Sequence, residues 1–244
     1  MRAPPTAAYR SHPPRGCSGR LGAARRWPER CGLAVSALLS LLAACSSTPP
    51  APDWQMNAKT ASERSTAAYL SGNTRIDSAE LVRARAEVAR TGRADLLARV
   101  ELAHCAAQVA SLVFDSCTAF EPLRADVPAP ERVYADYLGG KLAASEAALL
   151  PEAHRGVAAN PAALQGVADP LSRLVAAGVL FETNRADPQV IQSAIDTASA
   201  QGWRRPLLAW LNVQLKRAEA AGASDEAAQL RRRIAIGEGS QAQK

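Results

Sequence analysis

From residue 53 onward one pattern repeats: small or apolar side chains three and four apart, polar ones between, and glycine or an Asn/Asp-Pro pair at the breaks. Trp54, Ala58, Ala61, Ser65 and Ala68 keep helical spacing and predict a first helix, with Asp53 as its cap and Gly72 as its end. A second start is predicted at Asp77. Glu80, three residues on, completes a capping box there, and Ile76 and Leu81 form a hydrophobic staple. Leu81, Ala84 and Val88 would be its buried stripe and Gly92 its stop. Residues 95–113 predict a third helix that is apolar round most of its circumference, through Leu97, Leu102, Cys105, Val109, Leu112 and Val113. A helix of that kind is enclosed by others, which places it near the middle of the fold.

Residues 115–129 read as a loop, with Pro130 at the first helical position of the next element. Tyr134, Leu138, Leu142, Ser145 and Leu149 hold helical spacing through 150, but Gly139-Gly140 costs such a helix about 2 kcal/mol against alanine. A kink and an end both stay open there. Residues 151–168 are the least regular part. Asn160-Pro161, Asp169-Pro170 and Asp187-Pro188 each set a capping oxygen before a proline suited to a first turn. The helix from Pro188 would bury Ile191, Ala194, Ile195 and Ala198 and stop at Gly202. Leu208, Leu211, Leu215 and Ala218 line the next, Gly222 ends it, and Ser224 caps a last one with Ala227, Leu230 and Ile234 facing back. Asp225 and Glu226 at its start and Arg231, Arg232 and Arg233 near its end suit the helix dipole. No alternating run of useful length appears. The expected class is all-α: an irregular antiparallel helical bundle or short α-solenoid over 53–236, with a flexible tail at 237–244.

Upstream the pattern changes. Gly32 to Ala44 has no charge, follows Arg25, Arg26 and Arg30, and ends in Leu42-Ala43-Ala44-Cys45. It is shorter than the roughly 20 apolar residues that span a bilayer and has the layout of a secretory signal. Leu-Ala-Ala-Cys resembles the lipobox of bacterial lipoproteins. The resemblance covers residues 30–46 and implies cleavage before Cys45, lipidation of Cys45 and a periplasmic domain held on a membrane by its lipid. Ser46 stands where an aspartate would signal inner-membrane retention, which points to the periplasmic face of the outer membrane. Residues 1–44 then form leader and signal. Residues 45–52 form a lipidated cysteine and Pro-rich tether of about 20 Å. The Pro- and Arg-rich first thirty residues read as an over-long start.

The leader also carries the charge. Residues 1–44 hold seven Arg and one Glu, so residues 45–244 carry 22 basic and 22 acidic side chains. A nucleic-acid partner wants a basic footprint, and the mature chain has no net one. Of five cysteines, Cys45, Cys105 and Cys117 follow the cut. Cys105 and Cys117 are a candidate disulfide pair in an oxidising compartment. The bridge needs Cα atoms within about 4.4–6.8 Å, so the third helix must end by about Val113 and double back, with Asp115-Ser116 as turn residues. Buried free thiols are the alternative.

Catalytic motifs are not visible. Glu101-Leu-Ala-His104 matches one Glu-x-x-His, but the second copy that a di-metal bundle uses is missing before His154. Glu101, His104, Gln108 and Ser111 therefore read as the wet edge of the third helix, with Glu101, His104 and Gln108 as a candidate ligand stripe and 151–168 as its lid. No cofactor is expected. Trp203-Arg204-Arg205 reads as a helix start or a partner contact. Gly222, Glu226-Ala227 and Trp210 resemble a tetratricopeptide hairpin over about 30 residues, without the fixed period of an array. The function expected is a membrane-tethered interaction or assembly module with a protein partner, not an enzyme. A ligand- or metal-binding bundle is the alternative.

Overall fold

In the computed structural model, residues 51–115 and 117–239 are described. The leader, Cys45, Ser46 and the tether as far as residue 50 lie outside them, as do Ser116 and residues 240–244. No strand occurs among the described residues, and the fold is an all-α bundle of antiparallel neighbours. Its α-helices are α1 (Asp53–Leu70), α2 (Thr74–Ala89), α3 (Ala94–Ala110), α4 (Ala129–Leu138), α5 (Glu152–Ala159), α6 (Pro170–Glu182), α7 (Pro188–Ala200), α8 (Arg204–Ala220) and α9 (Ser224–Gly239). Short 3-10 turns at Glu121–Asp126, Ala144–Leu149 and Pro161–Gly166 fill the longer connections.

The core forms where α3 and α6 cross. α3 buries Ala98, Leu102, Cys105, Val109 and Ala110, as its all-round apolar pattern predicts, but α6 is the more enclosed: Leu174 to Leu180 are buried without interruption. Gly178 makes the crossing possible, because a Cβ there would lie 2.3 Å from the Val109 carbonyl oxygen. The α1–α2 hairpin lies on α3, and α7, α8 and α9 follow α6. Trp210 of α8 is fully buried and donates its indole N–H to the Ala110 carbonyl at 3.1 Å, satisfying the open end of α3.

Three expected caps stand, each through its side chain: Asn160 accepts from Ala162 N–H, Asp169 from Ser172 N–H and Asp187 from Val190 N–H. Others do not. α2 begins at Thr74 under Asn73, which accepts from Ile76 N–H, so Asp77 falls inside the helix and on its buried face. The physical reason is the short turn after Gly72, which offers Asn73 first. Ile76, the expected staple, is 48% exposed. Asp53 and Ser224 are the first residues of their helices rather than their caps, and Pro130 is the second residue of α4. At Gly139-Gly140, where a kink and an end were both open, the helix ends at Leu138. Gly140 takes φ 68° and Lys141 N–H closes back on the Asp136 carbonyl, so the chain turns there.

α3 ends where the disulfide requires. Its last helical residue is Ala110, Leu112 turns the chain at φ 60°, and the Cys105 and Cys117 Cα atoms stand 5.4 Å apart in a formed bridge. Closing that twelve-residue separation contributes about 3 kcal/mol on a chain-entropy account. Leu112 is only partly buried and Val113 is exposed, because both lie past the helix end.

Candidate functional site

The stripe on α3 is largely covered rather than wet. α1 and α2 lie across it, and Asp77 extends the Leu81–Ala84–Val88 face to meet it. Asp77 accepts the Ser65 hydroxyl at 2.7 Å and lies 3.3 Å from His104 Nε2. Arg85 holds Glu101 with two hydrogen bonds of 2.6 Å each. Ser111 donates to the Ala107 carbonyl, and Gln108 is half-buried beside them. Tyr69 packs edge-on to His104 and carries the Arg205 guanidinium over its face, 4.2 Å from the ring centroid. Burial pushes the Tyr69 phenol up, with Arg205 opposing and Asp77 adding. Nucleophilic chemistry would need the imidazole between hydroxyl and carboxylate; here the carboxylate stands between, so Ser65 is not activated. Among the described residues no three His, Cys, Asp or Glu groups assemble a metal site. The seam joins helices.

Trp203-Arg204-Arg205 is likewise an internal clamp. Arg205 donates to the Tyr69 carbonyl at 2.7 Å and to Thr74 Oγ1 at 3.0 Å, and Arg204 to the Gly72 carbonyl at 3.5 Å. Together they tie the start of α8 to the α1–α2 turn.

The site lies on the other side of α3. The break at Gly139-Gly140 stops α4, the chain passes through the 3-10 turn, and Pro151 restarts it as the eight-residue α5. That return brings His154 over Tyr134 and Tyr137 of α4, with ring centroids 5.6 and 5.1 Å away. Between α3, α4, α5 and α6 a cleft of about 590 Å³ opens, with Thr66 of α1 at its edge. Leu102, Ala103 and Ala106 form one wall, Leu149 and Leu150 another, and Leu171 and Val175 a third. Size and lining match small-ligand sites, which are mostly apolar with a few placed polar groups.

Those polar groups divide into used and unused. Arg99 is paired with Glu131 at 2.9 Å. Arg155 donates its Nε–H to the Leu150 carbonyl at 2.7 Å, and no described residue accepts from its terminal nitrogens. His154 is 3% exposed, and its Nδ1 lies 3.4 Å from the Tyr137 hydroxyl. That hydroxyl is buried with no other described partner, so its proton goes to Nδ1 and the imidazole carries its own proton on Nε2. Neither His154 Nε2 nor the Tyr134 hydroxyl has a partner among the described residues, and both residues line the cleft. Burial holds His154 down to about 4, with Asp169 opposing, and raises both tyrosines well above their ordinary value. All three rings are neutral at pH 7. The arrangement can offer two neutral donors to an acceptor atom in an apolar cleft.

Sequence reasoning met His154 only as a missing half of a metal motif and Tyr134 only as a core position. The available signal was a histidine inside the least regular segment, fourteen residues after the Gly139-Gly140 break. Fold and site together define an all-α bundle with an open, mostly apolar cleft carrying a few polar groups. No protein-family model, curated protein or solved structure matches the chain.

Proposed function

We propose that this chain is a lipid-anchored periplasmic binding module, tethered through Cys45 to the periplasmic face of the outer membrane and using the α3–α6 cleft as its binding face. The observation that carries the binding part is the cleft itself: apolar walls, an outward-facing Leu149 at its mouth, and unused hydrogen-bonding groups on Tyr134 and His154. The anchor rests on the lipobox resemblance at Leu42-Ala43-Ala44-Cys45 and on Ser46. No described helix is long and apolar enough to cross a membrane, so none of them would serve as the anchor. The antiparallel α8–α9 pair, with its tetratricopeptide-like Gly222 turn, supports a scaffold that presents a partner surface.

Metabolic labelling with palmitate followed by envelope fractionation tests the anchor. The wild-type chain incorporates label and sediments with outer membranes. Cys45→Ser abolishes both labelling and processing. Continued labelling of that variant overturns the anchor.

A further inference from the structure

We propose that the cleft between α3, α4, α5 and α6 binds an aliphatic carboxylate, with its chain along the α3 and α6 walls and its carboxylate at the α5 end among Tyr134, His154 and Arg155. This rests on the reading of the cleft as a binding face and adds its occupant.

The body of the ligand follows from the walls. Leu102 and Ala106 on α3 and Leu171 and Val175 on α6 offer no hydrogen-bonding group, so a polar chain laid there would lose its water without return. The head follows from three polar groups in the lining, Tyr134, His154 and Arg155. Tyr134 O–H and His154 Nε2–H are donors without partners among the described residues, one from each of two facing helices. Two available donors favour an acceptor head, a carboxyl or carbonyl oxygen.

Charge decides between those two. Glu131 balances Arg99 in the lining, which leaves Arg155 as the cation with no ion pair among the described residues. Its Nε–H bond to Leu150 holds one edge of the guanidinium in the cleft lining and leaves its terminal nitrogens for an anion. Asp169 is the nearby negative charge, and its carboxylate is occupied as the cap of α6 through Ser172 N–H at 2.7 Å. An anionic head on a hydrocarbon body satisfies both ends.

The test uses the full chain carrying Cys45→Ser, so that no lipid of its own competes, and titrates laurate, methyl laurate and lauryl alcohol by calorimetry. Laurate is expected to bind at least tenfold more tightly than its ester or alcohol. Arg155→Gln should bring laurate down to the ester's affinity and leave the ester unchanged. Leu149→Asp, at an exposed position on the mouth, should weaken laurate more than the ester. Equal binding of all three compounds overturns the carboxylate and leaves the cleft a binding face. Laurate binding that neither substitution changes places the acid elsewhere and overturns the proposal. No binding of any compound, with an envelope protein captured by wild type and lost in Leu149→Asp, makes the occupant a protein segment and also overturns it.

Discussion

A histidine buried to 3% exposure is held neutral, and His154 shows what that demands of the fold. Its buried imidazole titrates near 4 against 6.5 for an exposed one, a depressed value caused first by burial. Below 6.5 the unfolded chain takes up a proton that the folded chain refuses, so folding stability falls with pH in that range. The contribution is fully present above about 6.5 and lost as the pH drops toward 4, at about 3 kcal/mol in all. Urea midpoints measured from pH 7 to pH 4 should show this slope, and His154→Phe should flatten it. That variant also strands the Tyr137 hydroxyl, so it should be less stable than wild type at pH 7 by about 1–2 kcal/mol. An unchanged slope in the variant would assign the acid sensitivity to other groups. Asp77 makes the complementary point about single residues. Its spacing suits a cap, yet it lies on the inner face because Asn73 caps first, and its charge is met by Ser65 and His104.

At the scale of elements, the crossing of α3 and α6 depends on one absent side chain. A Cβ at position 178 would meet the Val109 carbonyl oxygen at 2.3 Å and its Cγ1 at 2.9 Å, and a helix backbone cannot rotate away as a side chain can. Gly178→Ala should therefore cost about 3 kcal/mol or more despite its better helix propensity. Gly166→Ala, where nothing lies within 4 Å, should be near neutral. Denaturant unfolding of the two variants side by side checks the claim, and a neutral Gly178→Ala would remove the crossing from the account. The helix α6 was also the element least visible beforehand. Its run Leu174-Val-Ala-Ala-Gly-Val-Leu180 is apolar on every side, so no stripe marks a direction. α3 was legible because its apolar pattern marked the helix and the Cys105–Cys117 pairing required it to end by about Val113; the pattern alone overran the true end at Ala110.

Across the whole molecule, α8 returns to α1 after more than a hundred residues, and Arg205 is the tie. It stacks on Tyr69 and bonds the Tyr69 carbonyl and Thr74 hydroxyl, closing the α1–α2 turn against the far half of the bundle. A partly buried cation-π contact with two hydrogen bonds is worth about 1–3 kcal/mol. Arg205→Ala should speed amide exchange in α1 and α2 while α6 amides keep their protection, since the cost falls on docking of the hairpin. Uniform acceleration through both regions would show that the hairpin and core open together. The cleft is a whole-molecule feature of the same kind: α3, α4, α5 and α6 all contribute lining residues, and no one segment contains it.

The sequence by itself determined what local chemistry can decide. Periodicity of 3.6 predicted helices, glycines that accept positive φ predicted their ends, and Asn160, Asp169 and Asp187 before proline predicted their starts. The separation of Cys105 from Cys117 required α3 to stop and the chain to reverse. Tertiary structure alone decided what each face meets. Glu101 and His104 share a face by spacing, but that the face is covered depends on α1 and α2 lying over it with Arg85 and Asp77 to match. His154 and Tyr134 are twenty residues apart, and only the reversal at Gly139-Gly140 makes them neighbours. Helical period is a property of the backbone and can be read along the chain. The partner of a face is a property of packing, set by which helices fit together, and exists only once they have.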